Sequence, residues 1–157
     1  MKKYPISGII GFVIIVSFMV SYYFDSQQSS VCGGGASCFI GKISRVIDGD
    51  TIVVDDINVR LALTATPELD ATYGMEAKEF TESICPVGSE ALVDEDDGQI
   101  DGSYGRLIGL VKCGDVVLNS ILLDKGLGII DTRFCSVSEF SNTEWARKYG
   151  CYWYKEK

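Results

Sequence analysis

The chain has 157 residues, no histidine, six cysteines and a formal net charge of −8. That length bounds it to about one domain with one real core. The missing histidine excludes Ser-His and Cys-His nucleophilic machinery, so acid and base work falls to carboxylates, Tyr, Lys or Arg. The acidic balance excludes broad electrostatic capture of nucleic acid and leaves room only for local phosphate sites.

Lys2 and Lys3 precede an apolar run from Ile6 to Phe24, broken only by serines and glycines. Nineteen residues at 1.5 Å each reach about 28 Å, close to the ~30 Å bilayer core. Tyr22 and Tyr23 lie at its outer end, where interfacial aromatics belong. The run reads as a transmembrane signal-anchor over 6–24, behind a cytoplasmic stub, 1–5. The two lysines place the N-terminus inside and everything after Asp25 outside, on the cell surface. The rival is a cleaved signal peptide and a secreted protein. It wants a shorter apolar region and an A-x-A-like site, which Tyr22 to Gln27 does not offer.

Residues 25–38 are rich in Ser, Gln and Gly and read as a flexible tether. Cys32 and Cys38 bracket a Gly-Gly-Gly-Ala-Ser run, where a short local disulfide fits. The domain proper is expected over 39–157. Phe39 to Ile47, Thr51 to Val54 and Ile57 to Leu63 read as three strands. Asp48-Gly49 is a strong hairpin signal between the first two, and Asp55-Asp56 makes the second turn. Tyr73 to Ile84 reads as a helix with Met75, Phe80 and Ile84 at helical spacing, stopped by Cys85-Pro86. Ala91 to Val93 is a fourth strand. Asp94 to Gly102 is an acidic, solvated hairpin loop without EF-hand spacing. Leu107 to Val111 is the fifth strand, and Asn119 to Lys125 a short helix stopped by Gly126. A last helix is expected between Ser136 and Tyr149, with Ser136/Glu139 and Ser141/Glu144 as capping-box candidates. Together these predict a mainly β fold with helices (α+β). Its centre is a five-stranded Greek-key barrel of the OB type with about three helices.

Six cysteines on the outer side of a membrane read as disulfides. With no C-x-x-C pair and no histidine, zinc is disfavoured. Strand order brings Cys85, opening the fourth strand, to Cys113, closing the fifth. Cys135 and Cys151 flank the last helix, which leaves Cys32 with Cys38.

Several stretches carry chemistry: Val46 to Thr51, Arg60-Leu61, Thr66-Pro67-Glu68, Gly74 to Ala77, and Asp101 to Arg106. Singly each has a bland reading, as hairpin, amphipathic strand, helix approach or partner of the acidic loop. In this order and spacing, from about Lys42 to Leu127, they resemble the thermonuclease, or staphylococcal-nuclease-like, family. Leu118-Asn119 and Gly126-Leu127 also match in order. The resemblance implies an OB barrel and calcium-dependent hydrolysis of DNA and RNA phosphodiesters. It implies Asp50 as a calcium (Ca2+) ligand and Glu68 as the carboxylate that activates or orients the attacking water; with Ala65 in this chain, Asp50, the Thr66 carbonyl and water are left to hold the cation. It implies Arg60 and Arg106 on the phosphate, and Tyr104 packing on or hydrogen-bonding to the substrate. The chemistry is coherent, because a guanidinium fork matches two non-bridging oxygens and a glutamate can take a proton from water.

The chain departs from the family pattern in three places. Ala65 stands where the family has a second aspartate, Ser103 where it commonly has lysine, and Thr132 where it uses an aromatic, with Phe134 nearby. The expectation is a membrane-anchored extracellular nuclease acting on nucleic acid, touching the membrane through 6–24, with no obligate protein partner. The alternative is a catalytically weak or inactive OB module that binds nucleic acid or protein. Asp50, Arg60, Glu68 and Arg106 favour the enzyme; Ala65 favours the module.

Overall fold

The computed structural model describes residues 32–153. The expected stub 1–5, signal-anchor 6–24 and most of the 25–38 tether lie outside them. Among the described residues no helix is long and apolar enough to cross a membrane.

Among the described residues, eight strands and three α-helices follow in chain order. They are β1 (Cys38–Val46), β2 (Thr51–Val54), β3 (Ile57–Leu61), β4 (Thr64–Ala65), α1 (Gly74–Ile84) and β5 (Glu90–Glu95). Then come β6 (Leu107–Cys113), β7 (Val116–Val117), α2 (Leu118–Asp124), β8 (Ile129–Ile130) and α3 (Glu144–Tyr149). β1 serves two neighbours. Its first half pairs with β5, from Cys38↔Asp94 to Lys42↔Glu90, and its second half with β2, from Ile43↔Val54 to Val46↔Ile52. The register slips between Ile43 and Arg45, and such a slip bends one strand around a barrel corner. β3 runs parallel to β6, with Arg60 opposite Ile108. That pairing closes β1, β2, β3, β6 and β5 into the five-stranded barrel. β7 extends the β6 edge, and β4 with β8 forms a separate two-stranded ribbon.

Ile43, Ile52, Val54, Val59, Val93 and Val111 fill the barrel, and Leu118 and Leu122 of α2 plug one end. Each such side chain contributes about 1.5–3 kcal/mol by leaving water. The plug also carries one polar residue. Asn119, fully buried, accepts from Val111 N–H at 2.9 Å and donates to the carbonyls of Ala62 (2.9 Å) and Gly109 (3.2 Å). It pins the β3–β6 seam where the parallel pairing ends.

A second cluster packs outside the barrel: Ala62, Leu63, Ile108, Phe140 and Ala146, with Cys135 and Cys151. The structure joins Cys85 to Cys113 and Cys135 to Cys151. Cys32 and Cys38 are also disulfide-bonded, and no cysteine among the described residues is free.

Four local expectations change. The third strand ends at Leu61 rather than Leu63, because Leu63 takes φ 58° and turns the chain into β4. Met75 faces solvent, 52 % exposed, and α1 packs instead through Gly74, Ala77 and Thr81, with Phe80 and Ile84 beside them. The last helix is split into a 3-10 turn (Glu139–Asn142) and α3, capped by Ser138 and Thr143 rather than Ser136 and Ser141. The acidic stretch is not simply solvated. Asp96 is fully buried, accepting from Gly98 N–H, Gln99 Nε2 and Glu139 N–H, so it ties this loop to the tail. Three donors offset the cost of burying its charge.

Candidate functional site

The Asp48-Gly49 connection differs from the simple hairpin that the sequence suggests. It runs from Ile47 to Asp50, with Ile47 N–H on the Thr51 carbonyl (2.9 Å) and Asp50 N–H on Asp48 Oδ1 (3.0 Å). Gly49 is needed for contact rather than for a left-handed turn. A Cβ there would lie 2.6 Å from Thr66 Oγ1 and 2.7 Å from Ala77 Cβ. Thr81 of α1 donates its hydroxyl to the Gly49 carbonyl at 2.6 Å. Small residues on α1 therefore let the helix clamp the turn, which explains why Met75 cannot face inward.

The clamp presents Asp50. It is 2 % exposed. Its Oδ1 accepts from Arg60 Nη1 at 2.5 Å and from Thr51 Oγ1 at 3.1 Å, and its Oδ2 from Thr66 N–H at 2.7 Å. Burial pushes the Asp50 carboxyl above its ordinary range, against the opposing pull of the Thr66 N–H and the Arg60 charge. Asp50, Arg60 and Thr66 are thus one bonded corner.

Arg60, a quarter exposed, leads from this corner into a cavity of about 160 Å³. Thr64, Ser103, Ile108, Asp131 and Phe134 are among its walls. Asp131 is committed elsewhere: Arg133 grips it through Nε (2.8 Å) and Nη2 (2.6 Å), which holds its carboxyl below the usual range. Arg106 stands one residue before β6, at the end of a tight hairpin. Ser103 and Arg106 exchange both backbone hydrogen bonds at 3.0 Å around Tyr104 and Gly105. These two central residues have φ 53° and 73°, the pattern of a type I′ turn. The Arg106 Nε donates to the Ser103 carbonyl at 3.2 Å, and its guanidinium lies 5.9 Å from the Tyr104 ring. Tyr104 is 97 % exposed. Arg106 is not itself among the residues that line the cavity; it bonds the backbone of Ser103, which is.

Glu68 is not drawn into the corner. It follows Thr66 by two residues on the loop into α1 and is exposed. Its backbone carbonyl accepts from Ala71 N–H at 2.9 Å, while no group among the described residues bonds its carboxylate. Thr81 and Gly49, behind the corner, carry roles that sequence reading missed. No local signal marks Thr81.

Calcium is the ion that the resemblance implies. Calcium takes six to eight oxygen ligands, several of them carboxylate. This corner holds Asp50, with both oxygens already accepting hydrogen bonds, and beside it Asp48, whose Oδ1 accepts from the Asp50 N–H; Ala65 supplies no side-chain donor. The residues present do not fit that ion.

A family model described as Staphylococcal nuclease homologue matches residues 58–147. The match covers Arg60, Glu68 and Arg106, and the turn with Asp50 lies just before it. A thermonuclease of Staphylococcus hyicus is 31% identical over 138 residues, covering 81% of this chain and 80% of that protein. A thermonuclease of Staphylococcus intermedius is 30% identical over 141 residues, with the same coverage of both chains. An uncharacterized protein of Bacillus anthracis is 34% identical over 103 residues, covering 57% of this chain and 46% of that protein.

Proposed function

The chain belongs to the staphylococcal nuclease homologue family, and from that premise we propose that it hydrolyses phosphodiester bonds of DNA, RNA or both. The observation that carries this reading is the Asp50–Arg60–Thr66 corner opening onto a cavity whose wall, Ser103, is also bonded by Arg106. Arg60 spends Nη1 on Asp50 and Arg106 spends Nε on Ser103. The rest of each fork serves the non-bridging phosphate oxygens, where charge grows in the transition state. Asp50 acts as a positioning residue that fixes the Arg60 rotamer.

Glu68 supplies the base. A water gives its proton to the Glu68 carboxylate while its oxygen bonds to phosphorus. The ester oxygen on the far side leaves and is protonated from solvent. Because Glu68 stands on an exposed loop, substrate must bring the water and the carboxylate into line. The calcium dependence of the resemblance is not carried over, since the donor set is too small.

The apolar run 6–24 behind Lys2 and Lys3 supports a domain held at the outer face of the membrane, with secretion after cleavage as the alternative. Disulfides in the described residues accord with an oxidising compartment.

The test is direct. The full-length chain is incubated with single-stranded DNA, with calcium and with chelator, and fragments are resolved on a gel. Fragments are expected. Intact substrate in both conditions leaves the non-catalytic OB module as the reading.

A further inference from the structure

A second cleft adjoins the corner at Thr66. It encloses about 240 Å³ between Ala65, Thr66, Pro67 and Tyr73 on one side and Gly126 to Ile129 on the other. It shares Thr66 with the corner, because the Thr66 N–H holds Asp50 Oδ2. Its walls are almost wholly apolar, and no charged side chain lines it. A phosphate has no partner there; a flat neutral ring does.

Tyr73 is the notable wall. It is 64 % exposed and has φ 70°, left-handed backbone that tyrosine seldom adopts. It occupies the N-cap of α1 without making a side-chain cap bond. The residue therefore costs stability twice, once by conformation and once by the cap it fails to supply. Its position is also tied to the base. A Cβ on Gly74 would stand 1.9 Å from the Glu68 carbonyl, and Gly74 N–H bonds Ala71 while Ala71 N–H bonds Glu68. Glu68 and the start of α1 are thus joined by two consecutive backbone turns.

We propose that this cleft takes an unpaired nucleobase of the strand being cut, stacked on Tyr73 beside Leu127 and Ile129. This rests on the nuclease reading above and adds a subsite next to the scissile phosphate. The charge balance supports it. A chain of net charge −8 with Arg60 and Arg106 as its phosphate contacts gains little from counterion release. Stacking is neutral, indifferent to base identity, and contributes about 1–3 kcal/mol per base, which is roughly 5- to 150-fold in affinity. A base can enter only when splayed from its neighbours, so the cleft selects single strands over duplex.

The experiment uses the full-length chain with a single-stranded 12-mer, its duplex, and the same 12-mer with abasic sites. Cleavage kinetics are measured, and binding is measured by anisotropy in chelator. Tyr73→Ala should raise KM on the single strand about 10-fold and leave kcat within about twofold, since uniform binding is lost. Tyr73→Phe should behave as wild type. Tyr73→Asn should lose affinity equally while raising Tm by a few degrees, because it relieves the strain and adds a cap. A merely structural tyrosine would not separate in this way. If wild type cuts and neither Tyr73→Ala nor abasic substrate changes KM, the subsite is wrong and the nuclease reading stands. If wild type binds through Tyr73 but cuts nothing, the nuclease reading falls and the subsite stands. If it neither cuts nor binds, both fall.

Discussion

Two regions of the proposed site are built differently. The Asp50–Arg60–Thr66 corner is part of the barrel wall, buried and cross-bonded, with α1 clamped against its turn. The loop from Glu68 to Tyr73 is exposed, and the Glu68 carboxylate has no bonded partner among the described residues. The difference teaches where preorganisation is affordable. Donors that meet a charged phosphate gain from being fixed before it arrives. A base that must meet a water and a strand together gains from a loop that adjusts.

The largest expected effect follows from the corner. Arg60→Ala removes a phosphate donor and leaves Asp50 buried beside fewer partners. Turnover should fall about 10²-fold or more, and unfolding in urea should show a loss of about 3 kcal/mol. Glu68→Gln should break the symmetry: turnover falls by about 10²- to 10⁴-fold while the urea midpoint stays put. If Glu68→Gln destabilises as much as Arg60→Ala, the contrast between corner and loop is wrong. If Arg60→Ala keeps wild-type turnover where wild type is active, the assigned phosphate site is wrong.

Much of the corner was legible in the sequence. Asp50, Arg60 and Thr66, each singled out in the sequence, lie side by side, though as an ion pair and a backbone N–H bond rather than as separate metal and phosphate contacts, and Cys85 meets Cys113 as strand order predicts. What was not legible depends on contact across the fold. Gly49 reads as turn punctuation, yet its role is to admit Thr66 and Ala77. Thr81 and Asn119 look like ordinary helix residues until their partners, 32 residues away in one case and 57 in the other, are known. Asp96 reads as one more loop acid, although three donors from two segments bury it. Hydrophobic periodicity carries no trace of such bonds.

The seam beside the corner offers a sharper test of its rigidity. Asn119→Ala strands the Val111 N–H and frees two carbonyls in a dry interior. Thermal unfolding should show a loss of about 2–3 kcal/mol. Residual activity below the new Tm should stay near wild type, because Asn119 touches no substrate. Retained stability would show that water replaces the amide.

The disulfides rank next. The Cys85–Cys113 and Cys135–Cys151 bridges span 28 and 16 residues, and each should contribute about 3 kcal/mol by restricting the unfolded chain. Tm measured with and without strong reductant checks the sum. Replacing Cys135 and Cys151 by serine should loosen the tail cluster more than the corner. Activity at low temperature should therefore survive better than in a Cys85/Cys113 variant, whose bridge lies in the barrel core.

The smallest effect is one of pH, and it isolates the Asp50 charge. Burial raises the folded pKa of Asp50, with Arg60 and the Thr66 N–H opposing. An acid with a raised folded pKa gives stability that is full below its unfolded pKa and lost as pH rises through the folded one. Removing Arg60 takes away one opposing influence, so the folded pKa climbs further and the window widens upward. The destabilisation by Arg60→Ala should therefore be smallest at the acid end and grow as pH rises toward neutral. Adding Asp50→Asn should recover much of it at the higher pH, because no charge is left to strand. Urea titrations of the single and double variants across that range check both statements. A pH-independent loss that Asp50→Asn does not recover would mean that Arg60 stabilises the corner through its packed aliphatic stem rather than its charge.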